Sequence, residues 1–177
     1  ITHCSLSGAL VYQEFTYRIL AKILMSQIIN GKEIAKDLRN SLKEEIIELK
    51  KQFNKSPGLA VVQVGNVAAS SVYVKAKTKS AQEVGIEVID HHLEESISEG
   101  ELIILIKKLN KQENVNGILV QLPLPKHINE QVILDSIAPD KDADGFHPVN
   151  VGKLSISATN DESLLIPCTP FGCLLMI

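Results

Sequence analysis

Leu59-Ala60-Val61-Val62-Gln63-Val64 is a short apolar run followed by a turn at Gly65-Asn66, and this stretch decides the fold. The run is too short and too continuously apolar for a surface strand, so it predicts a buried strand of a parallel sheet. A helical pattern follows over about residues 68–83, and Gly85 is expected to end it in the left-handed conformation. A buried strand that leads into a helix is the first half of a βαβ unit.

The same alternation continues on both sides of this unit. The predicted elements are a helix that ends near Phe53, a strand over residues 86–89, a helix opened by a capping box from Ser98 to Glu101, a strand over residues 115–121 and a short helix near residues 129–136. Two of the helices have apolar stripes at helical spacing, namely Ile34, Leu38, Leu42, Ile46 and Leu49 in the first, and Leu102, Ile103, Ile106 and Leu109 in the third. The pattern predicts an α/β fold, a three-layer sandwich with a mostly parallel sheet flanked by helices.

Composition excludes several classes of function. The 177 residues are 45% hydrophobic and 22% charged, which is typical of a soluble globular domain. The net charge of −3 and the absence of Trp argue against a nucleic-acid-binding surface. Apolar runs stay well short of the roughly 18 residues of a transmembrane helix, so no membrane partner is expected. Three cysteines without a C-x-x-C pair favour a reduced, cytoplasmic protein.

The first 24 residues form an atypical N-terminal extension. They show little periodicity and precede Met25, which is a natural candidate for a translation start. Upstream read-through, a leader and a weak transit peptide remain as interpretations, because Arg18 and Lys22 accompany a single acidic residue. We therefore assign residues 1–24 to this extension and residues 25–177 to one domain.

Polar features collect where the predicted strands end, which is where ligands bind in parallel sheets. They are the Gly65-Asn66 turn, Gln121 and the loop over residues 140–145. Tyr73 and Lys77 are four residues apart and share a helix face, so a phenol and an amine could form a proton-transfer pair. The alternatives are an ordinary amphipathic helix with a solvated lysine, and a glutamine that satisfies loose backbone groups.

The loop Asp140-Lys141-Asp142-Ala143-Asp144-Gly145 matches the opening of a calcium loop. Calcium is not expected, because Val151 stands where the motif needs a bidentate Glu. The loop is then either a turn capped by its own Asp side chains or the source of a ligand-binding Asp. Four histidines, His91, His92, His127 and His147, have no metal-binding spacing and are expected at the surface or in loops.

The ordered series of motifs is highly specific. It comprises Ile29-Asn30-Gly31-Lys32, Val64-Gly65-Asn66, Ala69-Ser70, Tyr73-Val74-x-x-Lys77, Gly117-Ile118-Leu119-Val120-Gln121-Leu122-Pro123-Leu124-Pro125, Pro139-Asp140-Lys141-Asp142-Ala143-Asp144-Gly145-Phe146-His147-Pro148-x-Asn150-x-Gly152-Lys153 and Pro167-Cys168-Thr169-Pro170-x-Gly172. Over about residues 28–175 the chain resembles the bifunctional methylenetetrahydrofolate dehydrogenase/cyclohydrolase family.

The resemblance implies a role for each matching position. Lys77 would be the catalytic amine of the cyclohydrolase step, and Gln121 would hydrogen-bond it and help to set its protonation state. Tyr73 would pack on the folate, and Asp144 would accept two N–H bonds from the pterin edge. The resemblance thus places catalysis on Lys77, Tyr73, Gln121 and Asp144. It assigns further substrate contacts or parts of the cleft wall to Ser70, Leu122, Pro123 and residues 167–170.

The resemblance also implies an activity. The family oxidises 5,10-methylene- to 5,10-methenyl-tetrahydrofolate with NADP and hydrolyses the product to 10-formyl-tetrahydrofolate, a step of one-carbon metabolism that serves purine biosynthesis. A homodimer and no metal are implied. The 177 residues contain no G-x-G-x-x-G, so we expect the Rossmann NADP-binding domain to be absent from them and the oxidation to need it. The alternatives are an inactive truncated fragment and a folate-binding module without turnover.

Overall fold

The computed structural model describes residues 28–66, 68–156 and 164–177 of the chain. Residues 32–177 belong to one compact unit; of the other unit, residues 1–31, only 28–31 are described. The elements are α1 Gly31–Phe53, β1 Gly58–Val64, α2 Ala68–Val84, β2 Glu87–Leu93, α3 Glu99–Lys111, β3 Gly117–Val120, α4 Glu130–Asp135, a 3-10 turn Pro139–Lys141, α5 Pro148–Ile156 and α6 Cys168–Leu175. The extension predicted at residues 1–24, and Met25, lie outside the described residues.

The three strands form one parallel sheet in the order β2-β1-β3. Strand β1 is central, and its whole length pairs with β2, from Gly58 opposite Glu87 to Val64 opposite Leu93. Its other edge pairs with β3, from Leu59 opposite Gly117 to Val62 opposite Val120. The run that opened the sequence argument is therefore the middle of the sheet, and the predicted α/β class is confirmed.

Helices cover both faces of this sheet. Successive side chains of β1 point to opposite faces, so Val62 and Gln63 face different layers. The Val62 face joins a closed apolar core that includes Leu102, Ile106 and Leu109 of α3. On the other face Gln63 donates a hydrogen bond to Ser71 Oγ of α2 at 2.9 Å. Helix α2, the sheet and α3 are thus the three predicted layers.

The signals that predicted the helix ends are also found in the structure. Gly85 has φ +98°, the left-handed conformation that ends α2. A Cβ at that position would lie 3.2 Å from Ile46 Cγ2 of α1, so a side chain there would also press on that methyl group. Ser98 is the N-cap of α3, and it exchanges backbone and side-chain hydrogen bonds with Glu101 in a full capping box.

Strand β2 is longer than predicted. It continues past Ile89 to Leu93, so His91 and His92 lie in a strand rather than in a loop. Their polar side chains hid the strand in the sequence, but their backbones pair with β1 like those of apolar residues. His91 is half-buried, and its Nε2 atom is buried without a hydrogen-bond partner. None of the helices in the described residues is long and apolar enough to cross a membrane.

Candidate active site

A cleft of about 320 Å³ lies beyond the carboxyl end of β3, between that strand end, α2 and the start of α6. Its lining consists of Lys77, Val120, Gln121, Leu122, Asp144, Phe146, Pro167, Cys168, Thr169 and Pro170. An amine, an amide and a carboxylate from three separate segments therefore share one small concave space. Few convergent polar groups in a mainly apolar pocket are the usual features of a small-molecule site.

The amide of Gln121 is oriented toward the amine of Lys77. Gln121 Nε2 donates to its neighbour's carbonyl, Leu122 O, at 2.6 Å. This bond turns the amide oxygen toward α2, where it accepts a hydrogen bond from Lys77 Nζ at 3.4 Å. Because a carbonyl oxygen can only accept, the network fixes which end of the amide faces the amine.

Asp144 is the titratable group whose proton affinity the cleft changes. Burial raises the pKa of Asp144 above its ordinary value, and the nearby negative charge of Asp142 raises it further. The positive charge of Lys77 lowers the pKa of Asp144 but does not outweigh burial. An ionised Asp144 is therefore under-solvated, and a ligand that donates N–H bonds to it would supply the missing partners.

Two features hold the Asp144 loop in place. Gly145 has φ +69°, and a Cβ there would lie 2.7 Å from Leu165 O, so a side chain would be strained and would clash. Asp142, which is buried, accepts hydrogen bonds at Oδ2 from the backbone N of His147 at 2.8 Å and from Asn150 Nδ2 at 3.0 Å. The sequence left two interpretations of this loop, a turn capped by its own Asp side chains and the source of a ligand-binding Asp. In the structure Asp142 caps the turn, and Asp144 faces the cleft.

Helix α2 is tied to the end of β1 by a buried amide. Gln63 is 5% exposed, and its Nε2 donates to Gly65 O at 3.2 Å as well as to Ser71 Oγ. These bonds connect the strand, the following turn and the first turns of the helix that carries Lys77. No sequence signal indicates this role, because Gln63 is a single polar residue inside an apolar run.

The structure places Lys77, Gln121, Leu122, Asp144 and residues 167–170 around the same cleft. It does not place Tyr73, Ser70 or Pro123 in the described lining. The Tyr73 side chain is 64% exposed, whereas Ser70 is buried on α2 and Pro123 is exposed. Val120 and Phe146 also line the cleft, although the sequence analysis assigns them no role. Both lie within the motifs quoted for the family resemblance, Val120 directly before Gln121 and Phe146 two residues after Asp144.

The cleft is not the largest hollow among the described residues. Two larger hollows, of about 650 and 610 Å³, lie along α1. The residues around the first are all exposed, and those around the second are nearly all exposed, so neither desolvates a charged group. The small cleft has half-buried Lys77, Gln121 and Asp144 instead, and it is the better candidate for chemistry. Among the described residues there is no cluster of three His, Cys, Asp or Glu able to hold a metal ion.

Comparisons with known proteins identify a family. A family model described as tetrahydrofolate dehydrogenase/cyclohydrolase, catalytic domain, matches residues 29–144. The bifunctional protein FolD of Pelagibacter ubique is 48% identical over 150 residues, which are 85% of this chain and 52% of that protein. The bifunctional protein FolD of Acetivibrio thermocellus is 51% identical over 152 residues, 86% of this chain and 52% of that protein.

Solved structures agree with the sequence comparisons. A crystal structure of the bifunctional methylenetetrahydrofolate dehydrogenase/cyclohydrolase FolD from Campylobacter jejuni superimposes with a TM-score of 0.80 at 44% identity, and covers 85% of this chain and 52% of that one. The Trypanosoma brucei enzyme, solved with NADP cofactor and inhibitor, has a TM-score of 0.71 at 36% identity, with 74% of this chain and 44% of that chain covered. The chain spans about half the length of the curated relatives it matches.

Proposed function

The chain belongs to the tetrahydrofolate dehydrogenase/cyclohydrolase family, and on that basis we propose that its cleft binds a reduced folate and hydrolyses 5,10-methenyl-tetrahydrofolate to 10-formyl-tetrahydrofolate. One observation carries the proposal, namely that Lys77, Gln121 and Asp144, from three separate segments, line the same cleft. The relatives support the substrate class, and the geometry supports the assignment of roles.

In this proposal Lys77 moves the protons of the hydrolysis. A water molecule adds to the electrophilic methenyl carbon and gives up a proton to Lys77 Nζ. The bond from that carbon to N5 of the folate then breaks, and Lys77 Nζ passes its proton to N5. The new hydroxyl group loses its proton to solvent as it becomes the formyl C=O, and the formyl group stays on N10. Gln121 Oε1, which accepts a hydrogen bond from Nζ, holds the amine at the cleft. Because the substrate already has an electrophilic carbon, positioning and one proton carrier suffice without a metal.

Asp144 binds the pterin edge of the substrate in this scheme. A carboxylate accepts two parallel N–H bonds, which matches the amino group and ring N–H of a pterin. The free protein leaves this carboxylate under-solvated, as the raised pKa of Asp144 indicates. Binding relieves that cost, so Asp144 favours the folate over ligands that lack paired donors.

The oxidation of 5,10-methylene-tetrahydrofolate we assign to the whole protein rather than to this cleft alone. Its NADP would need a dinucleotide-binding loop, and the described turns after β1 and β3 are Gly65-Asn66 and Gln121-Leu122-Pro123, which do not fit a pyrophosphate. Tyr73, Ser70 and Pro123 remain proposed substrate residues on the family resemblance.

The remaining assignments are part of the same proposal. Homodimeric assembly, a cytoplasmic location, a supply of formyl groups for purine biosynthesis, and the lack of nucleic-acid, membrane and metal partners are inferred from the resemblance and the composition. The net charge of −3 and the small number of aromatic residues support the exclusion of nucleic acid.

Replacement of Lys77 by Met tests the function. We expect the full 177-residue chain to hydrolyse 5,10-methenyl-tetrahydrofolate faster than buffer alone does. The reaction is measured as the loss of the substrate's near-ultraviolet absorbance. Lys77→Met should lower this rate by roughly 10²- to 10⁴-fold, the usual contribution of a proton-transfer group. Circular dichroism should stay unchanged, since a Met side chain has a similar shape and adds no buried charge.

Lys79→Met is the matched control. Lys79 lies two residues further along α2, its side chain is 79% exposed, and it makes an exposed ion pair with Glu83 at 3.9 Å. Loss of that pair should have little effect on hydrolysis. Equal rates in wild type and Lys77→Met would contradict the assignment. Binding of 5-formyltetrahydrofolate without any hydrolysis by the wild type would show a binding module, and no binding at all would overturn the function.

A further inference from the structure

We propose that Asp142 is a positioning residue for Asp144: its buried side chain fixes the loop that presents Asp144 to the cleft, and it places a second carboxylate in that loop, two residues from Asp144. The inference rests on the proposed function, because Asp144 is taken there as the group that binds the pterin. Asp142 itself does not line the cleft as described.

The geometry around Asp142 fixes the loop from both sides. Its backbone makes an isolated parallel bridge with Ile118 of β3, and the next residue's N–H donates to Ile118 O at 3.2 Å. Asp142 is 1% exposed, and its side chain accepts hydrogen bonds from His147 N and Asn150 Nδ2, which lie further along the chain. Asn150 in turn donates to Pro139 O at 2.8 Å, across the base of the loop. Asp144 stands between these two anchors.

The second part of the role is electrostatic. The titratable groups that face Asp144 from the described lining are Lys77 of α2 and Cys168 at the start of α6, and Asp142 belongs to its own loop. The charge of Asp142 raises the pKa of Asp144, and Lys77 lowers it. Without the charge of Asp142, the pKa of Asp144 should be lower, because less opposes the lowering by Lys77. Asp144 would then stay ionised to lower pH.

Asp142→Asn separates charge from shape. Both side-chain hydrogen bonds end on the same oxygen, Oδ2, so an Asn carbonyl placed there keeps both acceptor contacts while the charge is lost. We expect the binding of 5-formyltetrahydrofolate, measured against pH by calorimetry, to weaken at lower pH in Asp142→Asn than in wild type. The carboxyl ¹³C shift of Asp144 should titrate at correspondingly lower pH, a change that a purely structural residue would not cause.

Asn150→Leu tests the positioning part. It removes one of the two side-chain contacts of Asp142 but keeps the charge, so folate affinity should fall while the pH midpoint stays that of wild type. It also keeps the proposal testable if Asp142→Asn fails to fold, because the ¹³C titration of Asp144 can then be compared between wild type and Asn150→Leu. A changed midpoint in Asn150→Leu would contradict the division of roles.

The failure of this inference and the failure of the proposed function are distinguishable. If wild type binds 5-formyltetrahydrofolate and Asp142→Asn has the same pH midpoint and the same ¹³C titration, Asp142 is not the tuning group, and the folate site stands. If wild type does not bind this folate, the function is wrong. Even then, the ¹³C titration of Asp144 tests the electrostatic effect of Asp142. The same Asp144 midpoint in wild type and in Asp142→Asn would overturn that effect as well.

Discussion

Helices α1 and α3 have the same kind of sequence pattern and opposite burial. In α3 the stripe residues Leu102, Ile106 and Leu109 are 0, 0 and 1% exposed. In α1 the stripe residues Leu38, Leu42 and Leu49 are 42, 39 and 44% exposed. Ile34 is half-buried, and Ile46 is buried, with 7% exposed. Both helices form over the ranges that their apolar spacing predicts, so the spacing alone does not determine how deeply a stripe is buried.

The difference comes from what each helix packs against. Helix α3 covers the apolar face of the sheet, where Ala60, Val62 and Val64 of β1 join its stripe in one core. Helix α1 precedes the sheet, and its buried residue Ile46 lies against Gly85 at the end of α2. Stability should therefore be concentrated at α3, and the stripe of α1 should contribute little except at Ile46.

Ile106→Ala should have the largest effect on stability. Ile106 is fully buried between the sheet and its helix neighbours, so truncation removes contacts and leaves a cavity. We expect a loss of about 2–5 kcal/mol in the free energy of unfolding, measured by urea denaturation of the full chain. Ile104→Ala is the matched control on the same helix, since Ile104 is 69% exposed and should change stability by less than about 0.5 kcal/mol. Similar losses in the two variants would mean that α3 does not pack as described.

The second prediction concerns the start of α3. Ser98 Oγ accepts a bond from Glu101 N at 3.3 Å, so Ser98→Ala should lower the free energy of unfolding by about 1 kcal/mol. Hydrogen bonds from Ser98 hold the pKa of Glu101 below its ordinary value. A lowered pKa stabilises the fold above the unfolded pKa of the group, and this contribution is lost as pH falls through the folded one. The cost of Ser98→Ala should thus be larger at pH 7 than in acid; an effect that grew as pH fell would contradict it.

The contrast between α1 and α3 has a parallel at the site. The rule that ligands bind beyond strand ends predicted Gln121 and the Asp144 loop, because backbone topology alone fixes those positions. Helical spacing made Lys77 only a candidate, and the family resemblance assigned its role. Tyr73 was expected beside Lys77 on the same helix face. Four residues advance about 6 Å along a helix, so two residues on one face can differ in their distance from the cleft. Of the aspartates in the loop, only the folded turn decides that Asp142 points inward and Asp144 to the cleft.

Leu42→Ala should have the smallest effect, and it tests the comparison most directly. Leu42 keeps 39% of its surface exposed, and Ala has a higher helix propensity than Leu, so the lost burial and the gained propensity nearly cancel. We expect a change within about 0.5 kcal/mol in the free energy of unfolding. Ile46→Ala, one turn further along the same helix, is the control and should cost several times more, because Ile46 is 7% exposed. If Leu42→Ala cost as much as Ile46→Ala in the full chain, the α1 stripe would be covered in solution, and its sequence pattern would predict burial after all.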